Sequence, residues 1–167
     1  MAVAAEQIVG RAAELGQLER SLAELERGRP SALEIEGEPG IGKTRLLSEL
    51  GARADRRGWL VLGGSASELE RDLPFWLFVD ALDEYVQGLE PRRIDELGDE
   101  ACTELAHVFP SLPAADAPAQ GDRYRTHRAF CRLLETLAAR KPLVLLLDDL
   151  HWADGGSSSR QKARWVR

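Results

Sequence analysis

Long apolar runs, cysteine, histidine pairs and surplus positive charge are all scarce in this sequence, and each shortage removes a class of protein. No wholly apolar stretch, residues 143–147 included, exceeds five residues, far below the roughly 20 needed to span a bilayer. Met1 to Glu6 has no basic start of the kind that opens a secretory leader, so the expected location is the cytoplasm, with no membrane partner. The two cysteines, Cys102 and Cys131, form no CxxC pair. A disulfide scaffold is thereby excluded, and reduced, semi-buried thiols are expected. His107, His127 and His151 show no metal-ligand spacing. Basic residues number 22 against 28 acidic ones, a net charge of −6, and an acidic body has no general attraction to phosphate backbones. Direct nucleic-acid binding is therefore not expected.

What is present is the material for one compact core: 167 residues, 44% of them hydrophobic. The charge is uneven. The last thirteen residues carry Arg160, Lys162, Arg164 and Arg167 without an acid, which leaves residues 1–154 at −10.

Leu15, Leu18, Leu22 and Leu25 recur at helical intervals, and this stripe predicts an amphipathic helix closed by Gly28 and Pro30. Two heptads are too few for a coiled-coil seam. Residues 31–36, Ser-Ala-Leu-Glu-Ile-Glu, alternate as a short strand would and run into a glycine-rich loop, after which Leu46, Leu47 and Leu50 mark a helix. Beyond Gly58, residues 59–62 predict a second strand, so that strand, helix and strand form a parallel βαβ unit. Residues 64–74 predict a loop. Pro74 then opens a helix bearing Phe75, Trp76, Phe78, Val79, Leu82 and Val86, whose aromatics fit a core better than a cofactor box. One or two short helices follow over residues 91–105. A longer helix runs from about Asp122 to Arg140 with Phe130, Leu133, Leu134 and Leu137 inward. Residues 143–147 then read as a strand buried on both faces, ending in Asp148 and Asp149.

The chemistry lies in residues 37–44, Gly-Glu-Pro-Gly-Ile-Gly-Lys-Thr, which match G-x-x-x-x-G-K-[ST] in full. Glycines in such a loop let successive backbone N–H groups turn into an anion-sized hollow, and the following helix adds the partial positive charge of its N-terminus. The candidate phosphate-binding set is Gly37, Glu38, Pro39, Gly40, Ile41, Gly42, Lys43 and Thr44, with Arg45 next on the helix. Lys43 reaches the β- and γ-phosphates, and the Thr44 hydroxyl is the candidate Mg²⁺ ligand. Only three lysines occur against nineteen arginines, so a lysine here does not simply reflect composition. The competing reading is a glycine-rich turn that caps a helix. Asp148, at the end of an apolar strand, is the second candidate Mg²⁺ residue. Asp149 is the candidate to activate water, or alternatively a helix N-cap.

Residues 8–11 (Ile-Val-Gly-Arg), residues 37–44 and residues 147–154 (Leu-Asp-Asp-Leu-His-Trp-Ala-Asp) together resemble the AAA-type, Orc1-like ATPase domain at the N-terminus of LuxR-family, MalT-like bacterial transcriptional regulators of the STAND class. The resemblance implies an ATP- and Mg²⁺-dependent switch in a regulator that self-associates. It places Val9, Gly10 and Arg11 at the base end of the nucleotide, Lys43, Thr44 and Asp148 at phosphate and Mg²⁺, and Asp149 as the water-activating acid.

The implied fold class is α/β, a three-layer αβα P-loop NTPase with a parallel sheet, incomplete at about three strands. Residues 1–154 are expected to form the N-terminal part of that domain, and residues 155–167 a flexible polar tail. In the family's strand order the strand after the Asp-Asp motif lies between the loop strand and the Asp-Asp strand. The expectation is therefore a truncated or frameshifted copy, in which those two strands stay apart or pair directly, with weak or no turnover. Two other functions fit less of the pattern: a small P-loop phosphotransferase, which lacks an evident Arg-rich lid here, and a non-catalytic nucleotide-sensing module that uses the Leu15 to Leu25 helix and the Trp76 region as a binding face.

Overall fold

A computed structural model describes residues 10–66, 75–112 and 123–149. Along them run α1 (Ala12–Glu26), α2 (Lys43–Asp55), β1 (Leu60–Ser65), α3 (Trp76–Gln87), α4 (Pro91–Asp95), α5 (Asp99–Ala106), α6 (Arg123–Ala138) and β2 (Leu143–Asp148). These residues group into two compact units, 10–50 and 51–149, and α2 contributes to both.

In the first unit, α1 forms where the leucine stripe predicts it, with Leu18 and Leu22 buried. It ends through a left-handed residue after its last turn. Gly28 has φ +72, its N–H donates to the Leu25 carbonyl, and the Arg29 N–H donates to the Glu24 carbonyl, both at 2.9 Å. This is the Schellman closure, in which a residue without a Cβ takes the αL position at no steric cost. The Glu24 carboxylate also accepts from the guanidinium groups of Arg27 and Arg29, and chiefly the Arg29 hydrogen bond lowers its pKa to about 2.

Residues 31–36 do not form the strand that their alternation predicts. The alternation itself survives: Leu33 and Ile35 are half-buried while Ala32, Glu34 and Glu36 are exposed. Two apolar side chains give the segment an inner face but no neighbouring strand, and a strand is stable only when its backbone groups are paired. The sheet accordingly has two strands among the described residues rather than about three, and direct pairing of residues 31–36 with the Asp-Asp strand does not occur.

The second unit is built on β1 and β2, which pair in parallel from Leu60 opposite Leu143 to Ser65 opposite Asp148. β1 runs on through Gly64 and Ser65, into what the sequence predicts as loop. Gly64 is what brings α3 close: a Cβ there would lie 2.7 Å from the Leu77 carbonyl oxygen and 2.8 Å from the Ala81 nitrogen. The two sheet faces separate cleanly. Leu60, Leu62, Leu143, Leu145 and Leu147 face a core shared by α3, α5 and α6, where Leu82, Leu105, Phe109 and Leu133 are buried. On the other face, Gly51 in α2 sits so close to Leu146 that a Cβ would meet its side chain at 2.8 Å, and Ala54 is fully buried. Helices thus cover both faces of a parallel sheet, the layering expected of an α/β protein.

β2 is half-buried except at Val144, not buried throughout. Its leucines have helices on each face, but β1 is its one strand neighbour among the described residues. Phe130 on α6 centres the aromatic core, stacked on Phe75 at 5.1 Å and tilted against Phe109 at 5.3 Å and Phe78 at 5.9 Å. The aromatics of α3 are therefore core residues, as their spacing predicts. Inside the helical layer, Thr126 donates to the Glu104 carboxylate at 3.4 Å, so that two buried polar side chains partner each other. Pro74, the residues beyond 149 and Val9 lie outside the described residues.

Candidate functional site

The glycine-rich loop runs into α2 as the motif requires. Gly40 and Gly42 have φ +78 and +95, and a Cβ at either would meet nothing within 4 Å. These two positions need glycine for backbone conformation, not for space, and the loop is open around them. The Ile41 N–H donates to the Glu38 carbonyl at 3.3 Å, which closes a turn. The Leu46 N–H reaches the Gly42 carbonyl at 3.2 Å, so the α2 ladder begins within the motif. The N-terminal end of α2, where helix amides concentrate positive potential, therefore continues the loop directly.

Lys43 folds back over this loop. Its Nζ donates to the carbonyl oxygens of Gly37 at 3.0 Å and Glu38 at 3.1 Å. The Ser48 hydroxyl donates to the Thr44 carbonyl at 2.9 Å, one turn further along α2. Arg11 also reaches the loop: its guanidinium donates to the Ile41 carbonyl and pairs with Glu14 at 3.4 Å. The structure thus brings together Arg11, Gly37, Glu38, Ile41 and Lys43. Gly10, at φ +80, precedes Arg11, while Pro39, Thr44 and Arg45 are exposed along the loop and the first turn of α2. The contact between Arg11 and Ile41 spans thirty residues of sequence, and no local pattern signals it.

In the second unit, Asp148 is the last residue of β2 and Asp149 follows it. The Ala66 N–H donates to the Asp148 carbonyl at 3.1 Å, extending the ladder to the last residue of the strand. The Asp148 carboxylate accepts the backbone N–H of Asp149 at 2.9 Å. Asp149 itself is exposed in the left-handed region at φ +52, a conformation that Asp tolerates better than most residues. The chain thus turns sharply at the second acid. Sequence reading also misses Asp80, whose carboxylate takes the Ser65 N–H at 2.9 Å beside the same strand end.

A cation bound here would not be held by a protein cage: among the described residues no group of three or more His, Cys, Asp or Glu is placed to hold a metal. A hydroxyl and one or two carboxylates suit Mg²⁺, which keeps most of its waters and takes further oxygens from phosphate. The two thiols, Cys102 and Cys131, are free and half-buried, and burial is the main cause raising both pKa values. Neither is a candidate nucleophile.

A parallel α/β unit, a glycine-rich loop opening a helix and an acidic strand end are the parts of a nucleotide-binding α/β protein. The chain belongs to the AAA ATPase domain family, whose model matches residues 7–161. It is also similar to an uncharacterized protein of Rhizobium meliloti (strain 1021), 29% identical over 154 residues. That match covers 76% of this chain and 14% of the relative, so the chain spans about a seventh of the relative's length. No solved structure gives a significant match. Among the described residues no helix is long and apolar enough to cross a membrane.

Proposed function

We propose that this chain is the ATP-binding module of a signalling ATPase of the kind found at the N-terminus of LuxR-family, MalT-like regulators of the STAND class, and that it works in the cytoplasm through nucleotide-dependent self-association. The observation that carries the reading is the position of the Lys43 amine, held across the loop by the Gly37 and Glu38 carbonyls. A cation there, flanked by glycines with open space above them, suits a triphosphate that replaces two carbonyl contacts with charged oxygens.

In this reading the backbone of Gly37, Glu38, Gly40, Ile41 and Gly42 lines the phosphates, Pro39 shapes the loop without adding a donor, and Lys43 moves from its carbonyl partners to the β- and γ-oxygens. Thr44 and Asp148 hold Mg²⁺, which when bound with the triphosphate supplies charge neutralisation between the terminal phosphates. Asp149 orients the attacking water. Val9 and Gly10 line the base end, and Arg45 stands beside the phosphates on α2. Arg11 acts from the loop side, since its guanidinium is engaged by Ile41.

Turnover by this 167-residue chain is weak in this reading, because Asp148 is the last residue of its strand and Asp149 follows it exposed, in a sharp left-handed turn. Phosphate release from Mg²⁺-ATP, measured beside a Lys43→Ala control, tests this. A rate barely above the control is expected, and a fast Lys43-dependent rate overturns it. Elution volume with and without Mg²⁺-ATP tests the switch: a nucleotide-dependent change is expected, and an unchanged volume counts against self-association.

A further inference from the structure

Among the described residues β1 has a second edge with no strand beside it. The N–H groups of Leu60 and Ala66 donate toward β2, to the carbonyls of Pro142 and Asp148, whereas that of Ser65 points away and is taken by Asp80. Backbone groups along a strand alternate sides with period two, so Val61 and Gly63 present their N–H and C=O groups on the side of Ser65, away from β2. On that side lies a cleft of about 610 Å³, lined by Val61 and Gly63 together with Asp80, Glu84 and Glu90, and with Arg93 as the one cation among the described lining residues.

Three observations say what the cleft suits. Its lining carries three carboxylates against one guanidinium, and Glu84, Glu90 and Arg93 make no ion pair among the described residues. Gly63 is not required by internal packing: a Cβ there would meet nothing closer than 3.8 Å, in contrast to Gly64 beside it. A strand-interior glycine without a packing reason commonly marks the close approach of another backbone. The edge also ends at a device that limits its length, since Asp80 occupies the Ser65 N–H and leaves the donors of Val61 and Gly63 for a short partner.

We propose that this edge accepts an extended basic segment of a partner protein, which adds to β1 as a strand beside Val61 and Gly63 and sets its cationic side chains against Glu84, Glu90 and Asp80. Main-chain hydrogen bonds supply the affinity and the carboxylates the preference for Lys or Arg, as in other cases of strand addition. A second copy of the chain does not fit, because pairing two β1 edges would set these acids against each other.

The test is fluorescence anisotropy of a labelled peptide of alternating Val and Lys titrated with the full chain, beside a Val and Glu counterpart and a Val and Lys peptide N-methylated at alternate residues. Saturable binding of the first peptide alone is expected. Glu84 is exposed on α3 and lines the cleft beside the strand, so Glu84→Lys leaves the core intact and weakens that binding about tenfold. Gly63→Pro removes an outward N–H at a position where an edge strand accommodates proline, and it also weakens binding. Equal binding of the Lys and Glu peptides, retention of the N-methylated peptide, undiminished binding by Glu84→Lys, absence of saturable binding, or a dimer that excludes the peptide each overturns the proposal.

Discussion

The Lys43 side-chain amine donates to the carbonyl oxygen of Gly37, 3.0 Å away and six residues back in the chain. This one bond joins the first glycine of the loop to the first residue of α2. With the bond to the Glu38 carbonyl it gives the cation a defined place across the loop.

Arg11 contributes to that site from outside the motif. Its bond to the Ile41 carbonyl is charge-assisted but partly exposed, so its loss is worth less than a buried one. Arg11→Ala is expected to weaken ATP binding by about three- to tenfold, with the far-ultraviolet circular dichroism unchanged. Titration of both proteins with Mg²⁺-ATP checks this, and equal affinities would remove Arg11 from the site.

Two adjacent glycines in β1 are expected to respond in opposite ways. A Cβ at Gly64 would press on the backbone of α3 at 2.7 and 2.8 Å. Gly64→Ala therefore costs about 1–3 kcal/mol through overpacking. At Gly63 the nearest atoms are 3.8 Å away, and Gly63→Ala is expected to be neutral or slightly stabilising, because it restricts the unfolded chain. Urea unfolding of the two variants compares them, and similar losses at both positions would contradict the packing described for α3.

The helices were readable because their signals are local, whereas the parallel pair that forms joins Leu60 to Leu143 and not residues 31–36 to residues 59–62 as the strand-helix-strand reading predicts. Leu18 and Leu22 recur at helical spacing, and the same kind of periodicity delimits α6 to within a few residues. Residues 31–36 show where such signals stop: Leu33 and Ile35 alternate with polar residues and keep an inner face, yet alternation does not state which strand lies alongside. The apolar run of β2 likewise indicates a strand but not how many neighbours cover it. In the site, the motif itself was legible, while the contacts of Arg11 with Ile41 and of Asp80 with Ser65 join residues too far apart for any local pattern to signal.

Glu24 offers a test of the end of α1 by titration. Its carboxyl is lowered from an ordinary 4.5 to about 2 by the hydrogen bond from Arg29, with Arg27 adding to it. A lowered carboxylate contributes stability that is complete above the ordinary value and is lost as pH falls from there through the folded value. The contribution of this exposed cluster should thus fade between pH 4.5 and about 2. Carboxyl chemical shifts followed by NMR should place the Glu24 midpoint well below that in an Arg29→Ala variant. Coincident midpoints would mean that the cluster does not persist in solution.

The account rests most directly on nucleotide binding at the loop that Lys43 closes. Isothermal titration of the full chain with Mg²⁺-ATP, repeated with Lys43→Ala, measures it. Saturable binding by the native chain, weakened about tenfold or more in the variant, is the predicted result. No binding by the native chain, or equal binding by both, would contradict it.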